Sequence, residues 1–215
     1  MVRQARSEAT RRRIIDSAVD LINQIGYPAS GLADIIERAE LTKGAFYYHF
    51  DSKEALATAI IDEGAITVLE AFRDAEGPAS PALANIVRGL FGVTEVVSGD
   101  RIAQAACRLL RTFGGFNPSA KQTYAHLLAE MTQQVARSVA EGEMRSDVDP
   151  AVAGTTIVGA ILGAELLSSA VSDGADLRAR LASTLQTLLP ALASEGSLRH
   201  YRELVADIAA GESNR

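Results

Sequence analysis

At 215 residues, with 47% apolar and 22% charged side chains, the chain is too apolar for a disordered protein and long enough to bury a sizeable core. Its single cysteine, Cys107, excludes an intramolecular disulfide or a cysteine-based metal site and is compatible with a reducing cytoplasm. The net charge of −6 is unevenly spread: residues 1–53 carry a net +1 and residues 54–215 a net −7, with Arg3, Arg6, Arg11, Arg12 and Arg13 set against Glu8 alone at the start. A positive field confined to one end can meet phosphates while the acidic bulk stays away from them.

In chain order the pattern is helical throughout, with no sustained period-2 alternation and no hairpin dipeptide. A first helix is expected from Ser7, an N-cap with Glu8 in the first turn, to Gly26, with Ile14, Ala18, Leu21, Ile22 and Ile25 at helical spacing. Pro28 closes the connection. A short second helix is expected over Leu32–Ala39, burying Leu32, Ile35 and Ile36, and a third over Lys43–Phe50. Two short helices joined by so tight a turn fit a helix-turn-helix. Asp51-Ser52-Lys53-Glu54 caps a long fourth helix reaching about Ala75, which Glu76-Gly77-Pro78 breaks. Six more are expected over 81–97, 101–113, 118–141, 150–172, 175–193 and 197–210, ten in all, between breaks such as Gly114-Gly115 and Asp173-Gly174. The basic N-terminus has no apolar h-region, so no signal peptide is expected and the cytoplasm is the expected location. The run Ala151–Val171 approaches membrane-spanning length, but Glu165 and its many small residues favour a buried packing helix.

The most informative stretch is Thr42-Lys43-Gly44-Ala45-Phe46-Tyr47-Tyr48-His49-Phe50-Asp51-Ser52-Lys53. Aromatics are few, yet Tyr27, Phe46, Tyr47, Tyr48 and Phe50 crowd into 24 residues. Three aromatics in a row beside a glycine, flanked by Lys and His, are poor material for a core helix. They suit a short helix that keeps its own small core while pressing polar and aromatic groups against phosphates and base edges.

This run resembles the recognition-helix signature of the TetR repressor family, the likeness extending over residues 7–60. Arg-Gln-x-Arg before the first helix, together with Thr42-Lys43-Gly44, is similar to the γ-butyrolactone-receptor branch. The resemblance implies an all-α, TetR-like fold: a three-helix helix-turn-helix DNA-binding domain over 1–53, and a larger helical effector-binding and dimerisation domain over 54–215. It further implies a homodimer that sets one recognition helix per subunit into the major groove of double-stranded DNA at a palindromic operator, under control of a small-molecule effector. Carried onto this chain, Thr42, Lys43 and Gly44 approach base edges or phosphates, Lys43 reaching guanine O6/N7 or a phosphate oxygen. Tyr47 and Tyr48 touch the backbone and thymine methyls, and His49 and Lys53 clamp phosphates. Phe46 and Phe50 point inward. The arginines from Arg3 to Arg13 track the minor groove or a phosphate rail, or form a solvated tail. Three positions depart from the family pattern. Gly31 stands where a Thr usually contacts phosphate, and Ala33 withdraws the second helix from base reading. Glu40 stands where the turn usually has Gly, at a strain of about 1 kcal/mol if that backbone is left-handed.

In the C-terminal part, the helices over 150–172 and 175–193 resemble the last helices of the butyrolactone-receptor branch. Gly159 and Gly163 permit close helix approach, and Leu177, Leu181, Leu185, Leu188 and Leu192 form an apolar stripe. Doubled by a twofold axis, two such helices give a four-helix dimer interface; alternatively both are core helices of a monomer. Phe91, Phe113, Phe116, Tyr124, Leu127, Leu128 and Met131 are the residues expected to line an effector cavity, with plain core as the alternative. The family branch typically carries Trp here; this chain has none, and Leu127 and Leu185 stand at those positions. Glu165 is either an effector contact or one half of an ion pair with an arginine such as Arg108 or Arg111. His126 and Glu130 share a helix face but have no third ligand, so no metal or cofactor is expected.

An enzyme built on Cys107 or His126 finds no support, because no nucleophile–base constellation and no phosphate loop is present. Two readings stay open: a repressor released by an effector, and a DNA-binding dimer whose C-terminal domain only dimerises.

Overall fold

In the computed structural model, residues 2–75, 77 and 80–211 are described, apart from the side chains of Val2 and Arg3. Ten α-helices run through them: α1 (Val2–Ile25), α2 (Leu32–Arg38), α3 (Lys43–His49), α4 (Lys53–Asp74), α5 (Ala82–Gly99), α6 (Arg101–Phe113), α7 (Pro118–Ala140), α8 (Pro150–Ser172), α9 (Leu177–Leu192) and α10 (Glu195–Ala210). Among the described residues there is no strand, only an isolated bridge between Met144 and Ala193. The all-α expectation holds, helix by helix.

Local chemistry explains most of the boundaries. Asp100 and Asp149 each accept two backbone N–H bonds at the starts of α6 and α8, and Ser52 Oγ accepts from Ala55 N at the start of α4. Gly26, at φ 78°, ends α1 with its N–H donating to Ile22 O. Most boundaries fall within two residues of expectation, and one differs by more. Ser7 is not an N-cap, because α1 begins at Val2 and runs through it. Nothing between Val2 and Ser7 breaks a helix, and the first turns are tied by Gln4 to Glu8 and by Thr10 Oγ1 to Arg6 O at 2.9 Å.

The chain forms two compact units. The first comprises Met1–Thr67 and Asp100–Thr123, the second Val68–Gly99 and Tyr124–Arg215. Geometrically, then, the first unit is larger than residues 1–53: it takes in the beginning of α4 and all of α6. In it α1 packs on α2 and α6, around Ile14, Ile15, Val19, Ile22, Ile35, Phe46, Phe50, Leu56, Ile60 and Ile61, each under a tenth exposed. Each such side chain removed from water stabilises by roughly 1.5–3 kcal/mol.

In the second unit α9 packs against α5, α8 and α10. Its core gathers Phe72, Leu83, Ile86, Val87, Phe91, Met131, Val135, Ile157, Leu181, Leu185, Leu189, Tyr201 and Val205. Two expectations change here. Leu181 and Leu185 of the α9 stripe belong to this core rather than to an outward face. And α8 is not a buried helix: it buries Ala153, Gly154, Ile157, Ala164 and Ser168 while Val152, Leu162, Leu166, Leu167 and Val171 stay exposed. Its length and apolar composition alone would let it cross a membrane, with a third of the apolar window buried within the protein.

Candidate nucleic-acid interface

The second and third helices are joined by the turn Ala39–Thr42. There Glu40 adopts φ 53°, the left-handed conformation that costs a side chain about 1 kcal/mol. The turn is closed by Glu40 N donating to Glu37 O and Leu41 N to Ile36 O. At the start of α2, Asp34 reaches back and its Oδ2 accepts from Gly31 N at 3.2 Å. The amide that a phosphate could use beside Gly31 is therefore already satisfied by a carboxylate.

Thr42 caps α3: its backbone is extended and its Oγ1 accepts from Ala45 N at 3.2 Å, leaving the hydroxyl hydrogen free to donate outward. Phe46 is fully buried and its ring meets Phe50 at 6.0 Å, which makes these two the inward pair. Tyr47 meets Phe46 edge-on at 5.5 Å yet stays 44% exposed, and Tyr48 is 76% exposed beside the His49 ring. The Lys43 ammonium lies 5.9 Å from the Tyr47 ring centre. Gly44 faces outward, and a Cβ there would meet nothing nearer than Thr42 Oγ1 at 4.0 Å. The fold itself does not require that glycine.

The arginines expected on an N-terminal arm, Arg3 to Arg13, all belong to helix α1, the side chain of Arg3 lying outside the described residues. Arg12 pairs with Asp16 and with Glu63 of α4. The Arg11 guanidinium lies over the Phe50 ring at 5.2 Å, next to the exit of α3. These charges are carried on helix α1.

Lys53 is placed differently from the other polar residues of the motif. Its Nζ donates to Tyr27 O at 2.7 Å and sits 3.9 Å from the centre of the Tyr27 ring. Burial holds its pKa below the usual lysine value. Burial also pushes the Tyr27 hydroxyl up to about 12, with the Glu54 carboxylate 3.5 Å away adding to the effect. The far side of Tyr27 meets Phe113 edge-on at 4.9 Å. Sequence reasoning missed this cluster; the signal was an aromatic placed directly after the helix-ending Gly26.

The comparisons with known proteins agree with this geometry. Residues 14–60 match the family model for bacterial regulatory proteins of the tetR family. The A-factor receptor protein of Streptomyces griseus is 33% identical over 211 residues, covering 98% of this chain and 74% of that one. The chain belongs to the TetR family. Within it, the solved γ-butyrolactone receptor (ArpA-like protein) superposes with a TM-score of 0.81 at 26% identity, covering 96% of this chain and 99% of that one. CprB of Streptomyces coelicolor, solved in complex with its biological operator sequence, superposes with a TM-score of 0.79 at 26% identity over 96% of this chain and 99% of its own. The protein is thus a DNA-binding regulator of the γ-butyrolactone-receptor branch and not an enzyme.

The eight residues expected at an effector site fall in both units. Phe91 and Met131 are buried together in the core of the second unit, and the Arg178 guanidinium lies 5.5 Å from the Phe91 ring. Phe113 and Phe116 belong to the first unit, with rings 5.2 Å apart, Phe113 buried and Phe116 exposed. Tyr124, Leu127 and Leu128 on α7 and Glu165 on α8 are half-buried in the second unit. Phe91, Phe113 and Met131 are each nearly sealed from solvent. A separate open groove of about 500 Å³ runs between α9 and α10, lined by Gln186, Glu195, Leu198, Arg199, Arg202, Glu203 and Ala206. None of the expected residues lines it. Glu130 pairs with Arg73 at 2.7 Å, and no cluster able to hold a metal occurs among the described residues.

Proposed function

We propose that the protein is a homodimeric cytoplasmic repressor that binds a palindromic operator through α3 and is released by a small-molecule effector. The observation that carries the reading is the outward face of α3. A lysine, an uncovered glycine and two exposed tyrosines stand on a helix anchored from below by Phe46. Thr42, Lys43, Gly44, Tyr47, Tyr48 and His49 are the residues assigned to DNA: Lys43 and Tyr47 to base edges, Thr42, Tyr48 and His49 to the backbone.

The exposed apolar face of α8 supports the homodimer. Val152, Leu162, Leu166, Leu167 and Val171 surround Gly159 and Gly163, and a Cβ added at either glycine would meet nothing within 4 Å. A soluble monomer rarely leaves so contiguous an apolar stripe in water, and a second copy related by a twofold axis covers it with the same stripe. The structure of CprB in complex with its biological operator sequence supports operator binding by this chain.

For the effector, the half-buried Tyr124, Leu127, Leu128 and Glu165 are the proposed contacts, together with Phe91, Phe113, Phe116 and Met131. Because Phe91 and Met131 are sealed and no Trp is present, the second reading, a DNA-binding dimer without a sensor, keeps a specific footing.

One experiment separates these readings. A duplex is enriched from a random-sequence pool by the protein, and its affinity is measured against salt, with and without a γ-butyrolactone as probe. The expected result is a steep negative slope, about −0.9 per phosphate neutralised, and release on adding the probe. A slope near zero, or no enrichment, refutes DNA reading. A steep slope with neither affinity nor melting temperature moved by the probe supports the dimer without a butyrolactone sensor.

A further inference from the structure

Arg11, Arg12 and Arg13 follow one another in α1, and the first unit gives each a different setting. Successive helical residues turn by about 100°, so three neighbours face three ways. Arg12 is committed to carboxylates: it pairs with Asp16 one turn on and with Glu63 of α4. Arg11 continues the stripe of Ile14, Ile15, Ala18 and Ile22, all buried, by one more turn toward the N-terminus. Arg13 stands about 200° round the helix from it, exposed and on the far side from that stripe.

A guanidinium at the end of a buried stripe needs something to lie on. Phe50 supplies it: the ring is 6% exposed, and the Arg11 guanidinium lies over it, 5.2 Å from its centre. The attraction of a cation to a ring face takes up no hydrogen-bond acceptor. Among the described residues no carboxylate or carbonyl holds Arg11 either, so its N–H donors remain open to an anion. Such a planar fork suits a phosphate, which accepts two parallel bonds from it.

The recognition helix sets where that fork stands. Phe50 directly follows His49, the last residue of α3, and its N–H donates to Phe46 O at 3.0 Å. Lys43 puts one full positive charge at the start of α3, and Arg11 puts another beside its exit. The seven residues of α3 span about 10 Å. The major groove that admits such a helix is about 12 Å wide. A cation fixed against the residue that ends α3 therefore stands within reach of the phosphates that line the groove.

We propose that Arg11, seated on Phe50, is a phosphate-binding residue of the DNA interface, and that Arg12 and Arg13 are not. This rests on the DNA-reading function proposed above. The rival is a role confined to the fold, in which Arg11 only covers the Phe50 ring.

The test compares the full-length wild type with Arg11→Gln, Arg11→Lys and Arg13→Gln. Each is titrated with the duplex enriched by the wild-type protein and with a random-sequence duplex, across a salt series, and each is melted. In Arg11→Gln the salt slope should become shallower by about 0.9 per protomer. Affinity for both duplexes should fall by the same factor, leaving the preference between them unchanged, because a phosphate carries no sequence. Arg11→Lys keeps the charge and should keep the slope. Arg13→Gln removes the same charge two residues away and should leave the slope as it is. A wild-type slope in Arg11→Gln, with only the melting temperature lowered, identifies a cover for Phe50 and overturns the proposal. Equal losses of slope in Arg11→Gln and Arg13→Gln identify a general field and not a contact, and overturn it too. A wild-type protein that enriches no duplex refutes DNA reading itself, a separate outcome.

Should Arg11→Gln fail to fold, the unmodified protein decides. When the enriched duplex is added, the NMR signal of the Arg11 Nε–H should shift and exchange more slowly with water. A signal unmoved in the complex overturns the proposal.

Discussion

The outward faces of α3 and α8 differ in kind, although each crowns a well-packed unit. On α3 the exposed residues are Lys43, Tyr47 and Tyr48, amphipathic groups that can trade water for phosphates and base edges. On α8 the large ones are Val152, Leu162, Leu166, Leu167 and Val171, with Thr155 and Thr156 as the polar residues exposed among them. A surface rich in donors and ring edges suits a polar polymer, whereas a mainly aliphatic stripe suits its own copy. On the proposed reading one chain carries two interfaces that cannot be exchanged, and breaking either one has a distinct signature.

The largest effect is expected from Leu166→Glu. The residue is 48% exposed, so a carboxylate there is tolerated by the monomer but is doubled, and left without water, when two stripes meet. Light scattering should show a monomer with an unchanged α-helical spectrum. Affinity for a palindromic duplex should fall by about 10²–10⁴, because two linked half-site contacts become independent. A variant that remains dimeric moves the interface off α8.

Glycine and glutamate around α3 sharpen the other side of the comparison. Gly44 meets no neighbour that forbids a Cβ, so Gly44→Ala should stabilise the helix by about 0.5–1 kcal/mol. On the proposed reading the same methyl enters the space that DNA would fill, so affinity for the enriched duplex should fall while melting temperature rises. Glu40 gives the opposite pattern. At φ 53° its side chain pays for a conformation that glycine adopts freely, so Glu40→Gly should raise stability by up to about 1 kcal/mol. Its preference among duplexes should stay the same. Thermal melts and duplex titrations run on both variants check the pair, and a Gly44→Ala protein that binds as tightly as wild type removes Gly44 from the interface.

What the sequence made legible follows the range of the forces involved. Helix ends were readable because caps are local: Ser52, Asp100 and Asp149 each satisfy amides within three residues of themselves. The motif around Phe46 was readable for the same reason, inward and outward residues alternating within one short helix, and the left-handed turn at Glu40 follows from its place in the family pattern. Partners distant in the chain were not readable. Nothing near Lys53 announces that its charge is seated on Tyr27, 26 residues earlier, and nothing near Phe113 that it packs on that same ring. The apolar residues proposed for the effector show the difficulty most plainly. Helical spacing marks Phe91 and Met131 as inward-facing, and an inward face is equally a core or a cavity wall until its neighbours are known.

The smallest predicted effect tests whether the joint between α8 and α9 is independent of both interfaces. Asp176 accepts from Ser168 Oγ and Ser172 Oγ, each at 2.6 Å, and pairs with Arg180 at 2.7 Å. The Arg180 hydrogen bond foremost, then the two serine hydroxyls, hold its carboxyl well below the ordinary aspartate value. A carboxyl depressed in the folded state is ionised there while the unfolded chain still binds a proton, so its contribution is fully present above the ordinary aspartate pKa near 4. As pH falls below that value toward the lower folded pKa, the contribution drains away. Asp176→Asn should therefore lower the melting temperature slightly at neutral pH, with the gap to wild type closing as the solution is acidified below about pH 4. Duplex preference and dimerisation should be untouched at neutral pH, since the residue lies on neither exposed face. A gap that stays constant down the acid limb would show that the serines and Arg180 act on the side chain's shape, and that its charge contributes nothing.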